Sequence, residues 1–146
     1  NSSEIAEEPT SRFDPDATGE RHLEILVAED NLVNQKLVTR MLEQEGCKVV
    51  LAQNGKEALD LIQQRSFDLV FMDCQMPIMS GFDATSEIRS LKDQASRDIP
   101  IVAMTANAME GDRERCLAVG MNDYISTPID RSKLRSVLED VRRSRS

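Results

Sequence analysis

No apolar run in this sequence of 146 residues approaches the roughly 20 residues a membrane helix needs, and no signal peptide opens it. Direct membrane contact by this stretch is not expected. Cysteine is scarce: Cys47, Cys74 and Cys116 form an odd set without C-x-x-C spacing. Histidine occurs once, as His22, so a zinc set cannot be completed. The thiols read as reduced residues of a cytosolic compartment. Positive charge is also in short supply. A net charge of −8 disfavours nucleic acid, whose phosphates attract basic surfaces. Neither G-x-G-x-x-G nor G-x-x-x-x-G-K-[ST] occurs, so nothing cradles a nucleotide, and no G-x-S-x-G elbow is present.

What remains is an ordinary globular composition, 40% hydrophobic, in a length that suits one domain. Residues 1–21 stand apart. Six acids there face only Arg12 and Arg21, and Ile5 and Phe13 are the only large apolar residues, so the segment reads as a flexible linker or tail. The chain begins with Asn1, and it is expected to be part of a longer protein whose membrane portion, if it has one, lies elsewhere. The domain proper spans 22–146. Its closing arginines, Arg142, Arg143 and Arg145, read as a solvated helix end.

From Leu23 the pattern becomes regular. Short apolar runs at 23–28, 49–51, 69–72, 101–104 and 124–125 have strand length, and helical periodicity fills the intervals. In the first helix, 32–45, Val33, Leu37 and Met41 share a face flanked by Val38 and Leu42, and Gly46 ends it. Asn54 caps the second, with Glu57 three positions on and Ala58, Leu59 and Ile62 inward. Ala84, Ile88 and Leu91 mark the third. A weaker fourth, about 109–119, carries Gly111 and stops at Gly120. Leu134, Val137, Leu138 and Val141 mark the fifth, capped by Asp130. Five strands alternating with five helices, each strand nearly continuous in apolar residues, predict an α/β fold with a doubly wound parallel sheet. The expected strand order is the flavodoxin-like 2-1-3-4-5.

In such a sheet, function gathers beyond the carboxyl ends of the strands. Those ends carry Glu29 and Asp30 after the first strand, Asp73 after the third, Thr105 after the fourth and Thr127–Pro128 after the fifth. A single Asp at a strand end is more often a cap or turn former. Three acids converging with a threonine are harder to dismiss. Like charges that close repel unless a cation joins them, and oxygen ligands completed by water suit Mg²⁺.

Three stretches resemble the receiver domain of two-component signalling: Ile25-Leu-Val-Ala-Glu-Asp-Asn-Leu-Val-Asn-Gln35, Met72-Asp-Cys-Gln-Met-Pro-Ile-Met-Ser-Gly81 and Ile101-Val-Ala-Met-Thr-Ala-Asn107. The resemblance runs from about Leu23 to Val141 and is strongest to receivers attached to hybrid sensor histidine kinases. It implies that Asp73 accepts a phosphoryl group from phosphohistidine. Glu29, Asp30, Asp73 and the backbone carbonyl of Gln75 would hold Mg²⁺. Thr105 would donate its hydroxyl to a phosphoryl oxygen, and Tyr124 would be an aromatic switch. The implied donor is a histidine kinase dimerisation domain or a histidine phosphotransfer domain, since His22 lies at the linker junction without helical context. The implied location is cytoplasmic, in a parent that can be an inner-membrane sensor.

Gly81 is expected to supply positive φ in the loop after Asp73, and Pro128 to fix its turn, where family members often have a cis bond. Cys74 reads as a core thiol at a strand end. Two positions depart from the family pattern. Ser80 replaces the usual Asp or Asn, and Thr127 stands where Lys normally precedes the Pro. Threonine is neutral and too short to replace an ammonium on a four-carbon stem. The substitution leaves open a weakened acceptor, natural or introduced, or a pseudo-receiver acting by binding alone. A phosphatase of the haloacid dehalogenase type would place Asp-x-Asp after the first strand, where this chain has Glu29-Asp30.

Overall fold

Successive side chains of the continuously apolar central strands point to opposite faces, which gives two cores, one on each side of a sheet. The computed structural model describes residues 22–105, 112–127 and 129–144. Five parallel strands, β1 (Glu24–Ala28), β2 (Lys48–Ala52), β3 (Leu69–Asp73), β4 (Ile101–Thr105) and β5 (Asp123–Ser126), lie in the order β2-β1-β3-β4-β5. The order is the expected one. Ile25, Val27, Leu69, Phe71, Val102 and Met104 face one way, against α1 (Leu32–Gln44) and α6 (Arg131–Ser144). Leu26, Ala28, Val70, Met72 and Ala103 face the other way, against α2 (Gly55–Gln64), α3 (Gly81–Arg89) and α5 (Asp112–Val119). Because both faces are covered, β1, β3 and β4 read as unbroken apolar runs.

Local chemistry sets the helix ends. The Asn31 side chain accepts from the Asn34 N–H at 3.0 Å to start α1. Asn54 accepts from the Glu57 N–H at 2.9 Å, and the Glu57 carboxylate accepts from the Gln53 N–H at 2.8 Å, a capping-box arrangement shifted by one residue. Ser80 caps α3 by accepting from the Asp83 N–H at 3.1 Å, so the unusual serine keeps the role of a short polar cap. Asp130 accepts from the Ser132 N–H at 3.2 Å before α6.

Several expectations need correction. Val33 and Leu37 do not face the core: they are 72% and 43% exposed, and α1 instead buries Gln35, Val38, Met41 and Leu42. The sequence offers two apolar stripes on this helix, and the wrong one was read as inward. A single-turn helix, α4 (Gln94–Arg97), capped by Asp93, precedes β4 and has too few residues to show periodicity. Helix α3 stops at Arg89, before Leu91. Arg142 is not merely solvated: it donates to the Glu45 carbonyl at 2.9 Å, joining α6 to the C-terminal end of α1. The tail 1–21, Gly111, Pro128 and Arg145 lie outside the described residues.

Arg89 secures the amino edge of the sheet. Its guanidinium donates to the carbonyls of Gly120 (2.9 Å), Arg97 (2.7 Å) and Ile99 (2.7 Å) and to Asn122 Oδ1 (2.9 Å). Asn122 in turn pairs with both backbone groups of Ile101. Replacing Arg89 with Met removes the donors while keeping the aliphatic stem. Partly buried carbonyls left unpaired predict a loss of about 2–4 kcal/mol in urea unfolding. Arg97→Ala, which breaks only an exposed ion pair to Asp98, should cost about 0.5 kcal/mol or less.

Candidate functional site: an acidic cleft at the strand ends

Parallel register brings the tips of β1 and β3 side by side, with Ala28 opposite both Ala52 and Met72 and Asp73 opposite Met104. The ladder continues one residue further. The Glu29 N–H donates to the Ala52 carbonyl at 2.9 Å, and the Cys74 N–H to the Met104 carbonyl at 3.1 Å. Glu29 and Asp73 are thereby held by the sheet itself and not by a loose loop. One carboxylate oxygen from each of Glu29, Asp30 and Asp73 lies within 4.8 Å of the others. They line a cleft of about 520 Å³ with Asn31, Leu32, Asn34, Cys74, Gln75, Met104, Thr105 and Thr127. No Lys or Arg is among these lining residues.

The three acids differ in environment. Glu29 is buried, Asp73 half-buried and Asp30 exposed. Burial pushes the Glu29 carboxyl up from 4.5 to about 7, with a hydrogen bond to Asp73 and the charges of Asp73 and Asp30 adding to the rise. The Asn31 N–H, 3.0 Å from Glu29 Oε2, opposes it. Asp73 is also raised by burial, while the Gln75 N–H at 3.1 Å and the hydrogen bond from Glu29 pull it back. Burial disfavours the charged form of both carboxyls, and the hydrogen bond between them raises Glu29 while lowering Asp73. Oxygen ligands of this number, without imidazole or thiolate among them, fit Mg²⁺.

The remaining expected residues fall into two groups. Thr105 is buried at the cleft, and its carbonyl accepts from the Thr127 N–H at 3.0 Å, so Thr127 does stand at the cleft wall. Tyr124 does not line the cleft. It is half-buried against the α5-side core, paired with Ala103, and the Lys133 ammonium lies 5.9 Å from its ring centre. Cys74 is buried, with its sulfur 3.7 Å from that of Cys116. Gln35 went unrecognised in the sequence. It is buried, and its side-chain amide donates to the Glu29 carbonyl. Its signal was a polar residue on the inward stripe of α1.

Gly81 has ordinary φ, contrary to expectation; the positive-φ glycines among the described residues are Gly46 and Gly120. A Cβ on Gly81 would lie 2.2 Å from the Asp73 carbonyl oxygen. Close approach to the Asp73 backbone, not backbone hand, requires the glycine there. Positive φ in this loop belongs to Ile78, at 68°.

Comparison with known proteins gives the fold and the cleft a context. The response regulator receiver domain model matches residues 25–139. The chain belongs to the receiver domain family. A hybrid signal transduction histidine kinase of Dictyostelium discoideum, kinase I, is 42% identical over 119 residues, 78% of this chain and 7% of that protein. This receiver domain thus spans a small part of the relatives it matches. The receiver domain of sensor histidine kinase PA1611 from Pseudomonas aeruginosa, solved with magnesium coordinated in its active-site cleft, is 42% identical with a TM-score of 0.76, covering 82% of this chain and 97% of that one. The receiver domain of Ssk1, crystallised with the Saccharomyces cerevisiae phosphotransfer protein Ypd1, is 30% identical with a TM-score of 0.71, covering 82% and 86%.

The raised carboxyl of Glu29 has a stability consequence. Its folded value of about 7 lies above the unfolded 4.5, so its contribution is fully present below the lower value and lost as pH rises through the upper one. Without metal, wild type should lose thermal stability relative to Glu29→Gln between about pH 5 and about pH 7.5. Paired melting curves in chelator-treated buffers measure this. A constant gap between the two proteins across that window would mean that Glu29 ionises normally.

Proposed function

We propose that this receiver domain accepts a phosphoryl group from phosphohistidine onto Asp73, in a Mg²⁺-dependent reaction, as a module of a hybrid sensor histidine kinase. The observation that carries the reading is the convergence of Glu29, Asp30 and Asp73 within 4.8 Å at one solvent-open cleft. Glu29, Asp30, Asp73 and the Gln75 carbonyl would hold Mg²⁺, which when bound neutralises charge on the carboxylates and on the transferring group.

Asp73 is the nucleophile because it is the partly open carboxylate of the Glu29–Asp73 pair. One of its oxygens attacks phosphorus, the P–N bond to imidazole breaks, and the nitrogen keeps the electron pair. The Gln75 N–H orients the carboxylate from 3.1 Å. The Thr105 hydroxyl donates to a phosphoryl oxygen that becomes more negative during transfer. Tyr124, packed beside Ala103 on the strand of Thr105, follows any shift of that strand end and serves as the switch. Such catalysis is chiefly positioning and charge neutralisation.

The donor is a histidine kinase dimerisation domain or a phosphotransfer domain. Leu32, Val33 and Leu37 form an exposed apolar stripe on α1 next to the cleft and suit a protein donor. Residues 1–21 tether the domain, 22–146, to the rest of its parent. No helix among the described residues is long and apolar enough to cross a membrane, in keeping with a cytoplasmic module.

The test is incubation with acetyl phosphate and Mg²⁺, reading aspartyl phosphate on a phosphate-affinity gel. Wild type should be labelled, and chelation or Asp73→Asn should abolish the label. Thr127→Lys restores one charge-assisted contact worth about 1.5–3 kcal/mol and should raise the rate roughly tenfold to a hundredfold. An unlabelled wild type whose Thr127→Lys variant is also unlabelled would leave a module that acts by contact alone.

A further inference from the structure

Two of the three cysteines meet beside the acidic cleft. Cys74 follows Asp73 at the tip of β3, and Cys116 lies on α5. Their sulfurs are 3.7 Å apart, in contact but as thiols. Both are buried in the core that β3 shares with α2, α3 and α5. Cys47 belongs to the opposite core, where burial pushes its thiol up to about 11. Cys74 is 3% exposed, and it forms part of the cleft wall next to Asp73 and Gln75. Large reagents are shut out of the pair, while a neutral molecule little bigger than water reaches Cys74 from the cleft.

Packing alone asks only for two small apolar side chains at these positions. Two thiols in contact add a chemistry that alanine or valine lacks. A disulfide needs its sulfurs about 2.05 Å apart, so a separation of 3.7 Å leaves roughly 1.7 Å to be closed. Side-chain rotation supplies part of that closure, and the backbone of Cys74 must supply the rest. That backbone is pinned by its N–H on the Met104 carbonyl and by the Gly81 N–H on its own carbonyl, both at 3.1 Å. Its movement is shared by Asp73 before it and by Gln75 after it, whose N–H orients the Asp73 carboxylate from 3.1 Å. A pull on Cys74 toward α5 is therefore a pull on Asp73.

We infer that Cys74 and Cys116 are an oxidation site, closed to a disulfide by a hydroperoxide, and that the closed form accepts phosphoryl poorly. The second half rests on the reading of Asp73 as acceptor. The Cys74 sulfur attacks one peroxide oxygen, the O–O bond breaks, and one water leaves behind a sulfenic acid. The Cys116 sulfur then attacks the Cys74 sulfur and displaces the second oxygen as water. Two thiols lose two protons and two electrons, and the peroxide is reduced to two waters. Because Cys116 is already in contact, the sulfenic acid is resolved before another peroxide reaches it. A thiol reductant reopens the bond by exchange.

The experiment treats wild type, Cys116→Ala and Cys47→Ala with hydrogen peroxide in native buffer. It reads linked peptides by mass spectrometry and labelling by acetyl phosphate in Mg²⁺. Wild type and Cys47→Ala should give a peptide pair joined through Cys74 and Cys116, absent from Cys116→Ala and split by dithiothreitol. Their labelling should fall about tenfold or more on oxidation, because a misplacement of about 1 Å costs on the order of a hundredfold. Dithiothreitol should restore it. Cys116→Ala should keep its labelling within about twofold under the same peroxide, which separates the disulfide from oxidised methionines. If Cys116→Ala folds poorly, the wild-type arm with and without dithiothreitol decides. No linked pair, a link through Cys47, an equal loss in Cys116→Ala, or an oxidised wild type labelled as fast as the reduced one would overturn the inference. Each of these leaves the acceptor reading intact. A reduced wild type without label would instead remove the acceptor reading, and the linked peptides would still decide the disulfide.

Discussion

Three carboxylates sharing a space of a few ångströms cannot all be ionised without a compensating charge. That repulsion is the constraint around which the upper end of the sheet is built. The fold does not avoid it, because the ladder bonds that fix Glu29 and Asp73 are the continuation of the sheet itself. It relieves it in part by raising the carboxyl of Glu29, the most buried of the three, which favours its neutral form. The α1 N-terminus adds to the relief: the Asn31 N–H points at Glu29 Oε2, and Gln35 secures the Glu29 backbone. A divalent cation held there would offset the repulsion that raises Glu29. Metal binding and loss of a proton from Glu29 would then be linked reactions.

The same balance explains why Thr127 matters more than its size suggests. Its backbone keeps the place of the usual residue, through the 3.0 Å hydrogen bond to the Thr105 carbonyl. Both the charge and the reach of a lysine stem are missing. Among the described residues no Lys or Arg lines the cleft, so on the proposed reading a transferring group would depend on a metal for its positive charge. Arg89 does not help, since it lies with Gly120, Arg97, Ile99 and Asn122 at the other end of the sheet.

How far the sequence discloses this depends on which signals are local. Continuous apolar strands and strand-end acids are local, so the sheet order and the convergence of Glu29, Asp30 and Asp73 could be read directly. The caps at Asn54 and Asp130 were equally plain. The orientation of α1 was not, because Val33 and Leu37 are as apolar as Val38 and Leu42, and periodicity alone does not say which stripe meets the sheet. Helix α4 is a single turn and leaves no period. The reason for Gly81 was hidden for another cause: a glycine that admits a neighbour looks in sequence like one that turns the chain. Only the 2.2 Å approach to Asp73 O separates the two. Tyr124 lies within β5, paired with Ala103 and away from the cleft lining, which periodicity over so short a strand does not disclose.

Precision at Asp73 and strain at Ile78 have one mechanical origin. Phosphoryl transfer tolerates little misplacement, and an acceptor carried on a sheet is better fixed than one carried on a loop. The chain leaving Asp73 must nevertheless turn within a few residues to begin α3 at Gly81. The turn is short because Cys74 and Gly81 are bonded to each other and Met79 is bonded to Gly55. Little backbone remains in which to spread the bend, so it concentrates at Ile78. Loosening the Gly81 contact would ease the turn, but it would also free the Cys74 carbonyl next to Asp73. The strained residue thus sits on the loop that leaves Asp73, with its side chain exposed, while the Asp73 carboxylate itself is steadied by the Gln75 N–H.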